Sequence, residues 1–231
     1  MDRWNDAALL AEQMRYYEAR APIYDQLYLR QGRYEVDDAA WTENWHKETA
    51  ELERFVGGLD ASGDVLELAP GTGLWTRFLA PRARRFVGVD ASPNMLERNR
   101  HRHDEDVEFV RADLFGWDQD ERFDLVFAGF FLSHVPPDLW VPFWSKVGRW
   151  LAPGGTLAFV DDSWGPDRPR SSDRVEDGPD HAHIRRLDDG AYTIVKRFFR
   201  PAELEAAFVE AGLTAEVDST GEHFLFGTAH A

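Results

Sequence analysis

The chain has 231 residues, none of them Cys, and 26 Lys and Arg against 42 Asp and Glu, a formal net charge of −16. That length fits one α/β domain with a full core, the missing Cys excludes disulfides, thiolate metal sites and Cys nucleophiles, and the acidity speaks against nucleic acid, which draws on clustered Lys and Arg. The start, MDRWNDAALLAEQ, lacks the features of a signal peptide and no apolar run approaches the ~20 residues that span a bilayer, so a cytoplasmic protein with no membrane partner is expected.

Leu10, Met14 and Tyr17 fall at helical spacing within 5–19, and Pro22 limits that helix. Trp41, Trp45, Thr49, Leu52 and Val56 mark a second helix over 38–57, ended by Gly57 and Gly58. From Asp64 the pattern changes. DVLELA (64–69), RFVGVD (85–90), VEFVRA (107–112), FDLVFAGF (123–130) and TLAFVDD (156–162) read as five buried strands, with helices at 73–80, 93–102 and 138–151. Such alternation predicts a parallel sheet with right-handed crossovers and both faces covered.

Within 138–151, Trp140, Phe143, Trp144, Val147 and Leu151 form a stripe that reads as core packing, and APGG (152–155) turns the chain into the next strand. Residues 163–190, rich in Pro, Gly and charge, read as a surface excursion, with its order left open. A hairpin over 183–199 is expected to turn at Asp188-Asp189-Gly190. Pro201 and Gly212 bracket a helix over 201–211, and TAEVDST and HFLFGTA read as two closing strands. The expected organisation is a single domain over 1–231, with a helical cap (1–60), a core (61–162), a lid excursion (163–200) and a closing helix and strands (201–231).

The stretch VLELAPGTGLWTRFLA (65–80) carries the chemistry. Its turn lies at the C-terminal edge of the sheet, where open α/β folds bind ligands, and Gly71 and Gly73 let the backbone come close. The dinucleotide fingerprint needs a third glycine where Thr76 stands, after bulky Trp75, and no Gly-Lys-Ser/Thr of a P-loop follows. A pyrophosphate is therefore disfavoured. Asp90 closes the second strand, where an acid accepts from both ribose hydroxyls, and Asp113, after the third, can accept from an exocyclic amine. Glu67, Asp90 and Asp113 end adjacent strands and are expected to converge on one crevice.

These motifs resemble those of the class I S-adenosylmethionine-dependent methyltransferases over about 60–161. VLELAPGTG looks like the family's first motif, with Glu67 as its acid, Gly71 and Gly73 as its glycines, and Ala69 where glycine is frequent. VGVDASPNML resembles the second, implying Asp90 on the ribose and Met95 against the adenine face. RADLF resembles the third, implying Asp113 and the backbone of Leu114 at the adenine edge. FDLVFAGFFLSHVP and LAPGGTLAFVD match the fourth and fifth, and Trp75 and Gly129 join the implied cofactor set. The resemblance implies a Rossmann-like seven-stranded, mostly parallel sheet with helices on both faces, an N-terminal helical cap and a late hairpin lid. It implies S-adenosyl-L-methionine as cofactor, leaving as S-adenosyl-L-homocysteine.

YYEARAPIYD, HVPPDLWVPFW and RRLDDGAYTIVKRFFRPAEL further resemble bacterial small-molecule O-methyltransferases of natural-product pathways, a group that includes an enzyme esterifying a phosphonate. In that group the N-terminal helices and late hairpin close over the cofactor, which implies Tyr17, Arg20 and Tyr24 in contact with it or shaping its pocket.

Methyl transfer from a sulfonium is an in-line displacement that needs alignment and exclusion of water. A carboxylate or phosphonate acceptor needs no base, only cations, for which Arg185, Arg186 and Lys196 are candidates, with Tyr28 as a phenol donor. His134 is the candidate catalytic residue: it orients the acceptor, or takes a proton from a hydroxyl or amine. His181 and His183, near Asp161 and Asp162, lack a third ligand at local spacing, and no metal is expected. The expected reaction is methyl transfer to an oxygen of a small acid or hydroxyl compound. N-methylation of a small amine and NAD-dependent oxidation on a Rossmann fold are the alternatives. The partner is a small molecule and no nucleic acid, since SHVPPD is not the Asn/Asp-Pro-Pro-aromatic motif of amine-methylating DNA enzymes; the chain is expected as a monomer or homodimer.

Overall fold

The computed structural model describes residues 6–103, 107–163, 174–177 and 181–231. In chain order they form α1 (Asp6–Arg20), α2 (Tyr24–Leu29), α3 (Ala39–Gly58), β1 (Asp64–Leu68), α4 (Thr76–Leu79), β2 (Arg85–Asp90), α5 (Pro93–Arg100), β3 (Glu108–Arg111) and β4 (Phe123–Gly129). There follow α6 (Pro137–Trp150), β5 (Leu151–Asp162), β6 (Arg174–Asp177), β7 (Ala182–Leu187), β8 (Gly190–Val195), α7 (Pro201–Glu210), β9 (Thr214–Ser219) and β10 (Phe224–His230).

Seven strands make one sheet in the order β3-β2-β1-β4-β5-β10-β9. The first five are parallel, and β10 runs antiparallel to both β5 and β9. The expected Rossmann-like architecture is thus present. From β1 the chain steps outward to β2 and β3, then returns to β4 on the other side, which opens a crevice at the carboxyl ends of β1, β2 and β4. Alternation along the strands sends Val65, Leu125 and Phe127 to one face, against Trp45, Leu52, Val56 and Leu79. Leu66, Leu68, Val126 and Ala128 go to the other, against Trp140, Phe143, Trp144 and Phe208. Both faces are buried, which is why these strands read as unbroken apolar runs.

The structure departs from the sequence reading in instructive places. The helix expected over 73–80 shrinks to α4, because Gly71 (φ +54°) and Gly73 (φ +92°) hold residues 71–75 in successive turns. β3 is half exposed rather than buried, since it borders the sheet. Leu151 leaves the aromatic stripe of α6 to open β5, although the other four members are buried as expected. In α1 the buried positions are Leu9, Gln13, Tyr16 and Arg20, while Met14 of the expected stripe is 39% exposed. Pro22 lies inside a short 3-10 turn, Ala21–Ile23, that leads straight into α2.

β7 and β8 close through Asp188 and Asp189, with Leu187 paired to Gly190, and β6 adds a third strand. The rest of the expected excursion, 164–173 and 178–180, lies outside the described residues. Tyr16 of α1 packs on Leu187 and Ile194 of this small sheet. No described helix is long and apolar enough to cross a membrane.

Candidate active site

Ala69, just past β1, takes φ +50°, and Gly73 N–H donates to Pro70 O (3.1 Å). A Cβ at Gly73 would stand 2.5 Å from Asn99 Oδ1 and 2.9 Å from His103 Nε2, so this glycine lets the turn press against α5 and its C-terminal end. A Cβ at Gly71 would instead enter a space bounded by Ala69 O, Met95 Sδ and Tyr24 Cε1, each 4.0 Å away. The turn is also stapled to α2: Thr72 Oγ1 donates to Asp25 Oδ1, and Arg102 pairs with Asp25 Oδ2 (2.6 Å) while donating to Thr72 O (3.0 Å).

The three strand-end acids fare differently. Asp90 accepts from Gly71 N–H (3.0 Å) and Ser92 N–H (2.8 Å), and burial raises its carboxyl to about 6. Asp113 is exposed, and its Oδ1 accepts from Phe115 N–H (3.1 Å). Glu67 lies behind the turn, where Thr76 Oγ1 donates to its Oε2 (2.6 Å) and Asn99 Nδ2 donates to Thr76 Oγ1 (3.0 Å). Burial pushes Glu67 up to about 8.

Asp90 and Asp113 open into a cavity at this edge of the sheet. Ala69, Gly71, Met95, Leu114 and Gly129 line it, as do Tyr17 and Tyr24 from the cap; Glu67, Gly73 and Trp75 do not. Trp75 is core: its indole fills the space a Cβ on Gly129 would take, with Cδ1 only 2.3 Å from that position. Leu10, Gln13, Met14, Ser92, Phe115 and Phe131 also line the cavity and were missed by sequence reasoning. The Leu10, Met14 and Tyr17 spacing was the available signal for two of them, read there only as a helix. Among the described lining residues there are two carboxylates and no Lys or Arg, a poor host for a pyrophosphate.

A second cavity shares Tyr17, Tyr24, Phe130 and His134 with the first. Its charge is the reverse. Arg20, Arg30, Arg185 and Lys196 line it, with Asp162 its one carboxylate among the described residues. Arg20, expected beside the cofactor, stands here over the rings of Tyr16, Tyr24 and Tyr34 (5.2–5.6 Å). Lys196 Nζ pairs with Asp162 Oδ2 (2.6 Å) and Asp161 Oδ1 (3.7 Å) and donates to Ser133 Oγ (2.7 Å). Tyr28 lines the cavity but turns its hydroxyl to Thr49 O (3.3 Å). Arg186 is exposed on the opposite face from Arg185, as neighbours in a strand must be, and lies away from both cavities.

His134 lines both cavities, at the join between them. Its Nδ1 lies 2.6 Å from Val195 O, and a carbonyl only accepts, so Nδ1 carries the proton. Nε2, 2.6 Å from the Tyr17 hydroxyl, is then the acceptor of that O–H. Burial pushes the imidazole well below its ordinary range, aided by Lys196, and burial raises the Tyr17 phenol, so both groups are neutral. Gln13 tightens the same corner, donating to His134 O (3.3 Å) and accepting from Val195 N–H (3.0 Å). Neither the Tyr17–His134 pair nor Gln13 has a signature in sequence.

Comparison with known proteins completes the assignment. Residues 65–155 match a family model described as a methyltransferase domain. The trans-aconitate 2-methyltransferase of Azoarcus sp. (strain BH72) is 35% identical over 103 residues, 44% of this chain and 40% of that protein. The match thus spans about two fifths of the length of such curated relatives. Solved structures of a DhpI–SAH complex (35% identity, 97% of each chain, TM-score 0.77) and a DhpI–SAM–HEP complex (36% identity, 96% of this chain and 98% of that one, TM-score 0.77) are similar along nearly the whole chain. The chain belongs to the class I S-adenosylmethionine-dependent methyltransferases. The cofactor of this methyltransferase is S-adenosylmethionine, whose cation suits the acidic cavity, and the open cradle at Gly71 leaves room for it beside Met95 and Tyr24.

Proposed function

We propose that the methyltransferase places a methyl group on an anionic oxygen of a small acid. One observation carries this reading: two adjoining cavities of opposite charge, with four lining residues in common, in a chain of net charge −16. The acidic chamber suits a cationic donor, and the basic one suits an anionic acceptor.

In this reading Asp90 accepts from the ribose hydroxyls, Met95 and Leu114 flank the adenine, Asp113 faces its amine, and Glu67 holds the glycine turn from behind. When bound, S-adenosylmethionine supplies a sulfonium methyl open to in-line displacement. Tyr17, Tyr24, Phe130 and His134 frame the join and keep water out of it. Arg185, with Arg20 behind Tyr24, grips the oxyanion, for which a guanidinium fork is suited. Lys196, already matched by Asp162, fixes Ser133 and the wall. No base is needed, which agrees with a neutral His134 whose Nε2 is engaged by Tyr17. The name of the Azoarcus relative, which puts the methyl on trans-aconitate, points to the same acceptor class.

The test is release of S-adenosylhomocysteine across panels of small acids, phenols and amines. Acids are expected to turn over, and Arg185→Gln to lower kcat/KM for them by about 30-fold or more, as removal of one buried charge partner does. Turnover of amines alone, rising with pH through the histidine range, would overturn the reading.

A further inference from the structure

The basic cavity is not basic throughout. At the join stand Tyr17 and His134, and the charges of Arg185 act on both of these side chains. From Phe130 at the join the wall runs on through Trp45, Leu74 and Phe224, with the ring of Tyr28. These rings touch one another: Trp45 and Phe224 are 4.7 Å apart between centroids, Phe130 and Phe224 5.9 Å, and Tyr28 and Phe130 6.0 Å.

The polar atoms of the wall are turned into the protein. Tyr28 spends its hydroxyl on Thr49 O, and Trp45 Nε1 donates to Tyr28 O (2.9 Å). Apart from Arg30, whose guanidinium lies 3.5 Å from the centroid of the Trp45 ring, what faces the cavity from this side is ring and hydrocarbon. A polar group lodged against Leu74 and Phe224 would lose its water and find no partner in those two side chains, whereas an apolar group gains by leaving water.

Building on the acid-acceptor reading, we infer that the acceptor is an acid with an apolar body, aromatic or branched, lying against Trp45, Leu74 and Phe224, with its oxyanion at the join. Short or poly-acidic acceptors leave that wall uncovered.

The experiment measures binding of propionate, glutarate and 3-phenylpropionate by calorimetry to the full chain saturated with S-adenosylhomocysteine, followed by methyl transfer to each. 3-Phenylpropionate is expected to bind at least about tenfold more tightly than the other two, the scale on which an apolar pocket discriminates, with the same order in kcat/KM. Leu74→Phe, which fills the wall, is expected to shrink that ratio at least threefold. Leu27→Trp at the half-buried rim does the same should Leu74→Phe lose S-adenosylhomocysteine binding. Equal or tighter binding of propionate or glutarate overturns the inference and leaves the acid reading standing. Methylation of amines with no acid bound overturns both.

Discussion

Replacing Glu67 with Gln should stabilise the protein at alkaline pH and leave its cofactor site intact. The side chain is 1% exposed, and burial moves its carboxyl from 4.5 to about 8. The unfolded chain releases this proton near 4.5 and the folded chain near 8, so between those values the folded state holds the extra proton. Stability therefore falls as pH rises through that window. Each pKa unit corresponds to about 1.4 kcal/mol, which sets a ceiling of about 5 kcal/mol above pH 8 and under about 1 kcal/mol at pH 5. Gln has the shape of the protonated acid and keeps an oxygen for Thr76 Oγ1, but it adds an amide donor whose burial costs about 1–3 kcal/mol if unmet. The net gain expected above pH 8 is about 2–4 kcal/mol. For a chain of this size that raises Tm by roughly 4–16 °C at pH 8.5, with no gain at pH 5. Thermal unfolding of both proteins from pH 5 to 9, with calorimetry against S-adenosylhomocysteine, decides the matter. Parallel slopes of Tm against pH would refute the proton assignment, and loss of ligand binding would show that Glu67 touches the ligand.

Three further outcomes are expected. Asp90→Asn should weaken S-adenosylhomocysteine by about 10- to 100-fold, the worth of one charged hydrogen bond; wild-type affinity should fall as pH drops through about 6, where Asp90 gains its proton, and a flat profile from pH 5 to 8 would contradict this. Ala69→Gly relieves a left-handed residue at φ +50°, worth about 1–2 kcal/mol, less the ~0.5–1 kcal/mol of extra chain entropy of glycine. Its Tm should rise by roughly 1–4 °C in calorimetric scans, and a fall would show that the Cβ packs usefully. Gly129→Ala sets a methyl 2.3 Å from Trp75 Cδ1 and should cost about 1–3 kcal/mol, seen as a lower denaturation midpoint in urea at unchanged slope.

Local features were legible in the sequence. The parallel core announced itself because buried strands are continuously apolar, and the glycine turn because its neighbours in sequence are its neighbours in space. What periodicity cannot say is which surface a face meets. Leu10, Met14 and Tyr17 share a side of α1 as expected, yet that side roofs a cavity rather than the core. Glu67 and Asp90 look equivalent at strand ends, but only Asp90 reaches the cavity, while Glu67 lies behind the turn. Arg185 and Arg186 were separable in principle by strand alternation, since Arg185 shares its buried face with His183 and Leu187. The Tyr17–His134 pair spans 117 residues, and the apolar wall gathers Trp45, Leu74 and Phe224 from three distant segments. No local pattern encodes either.

The chain of contacts from Tyr17 through His134 to Val195 has a thermodynamic corollary. It forms part of the boundary of both chambers, so a tenant on either side settles against the same small set of atoms. Donor and acceptor affinities are then coupled, and coupling of equilibria is symmetrical. Whatever factor the occupied nucleoside chamber lends to the acceptor proposed above, that acceptor must lend back to the nucleoside.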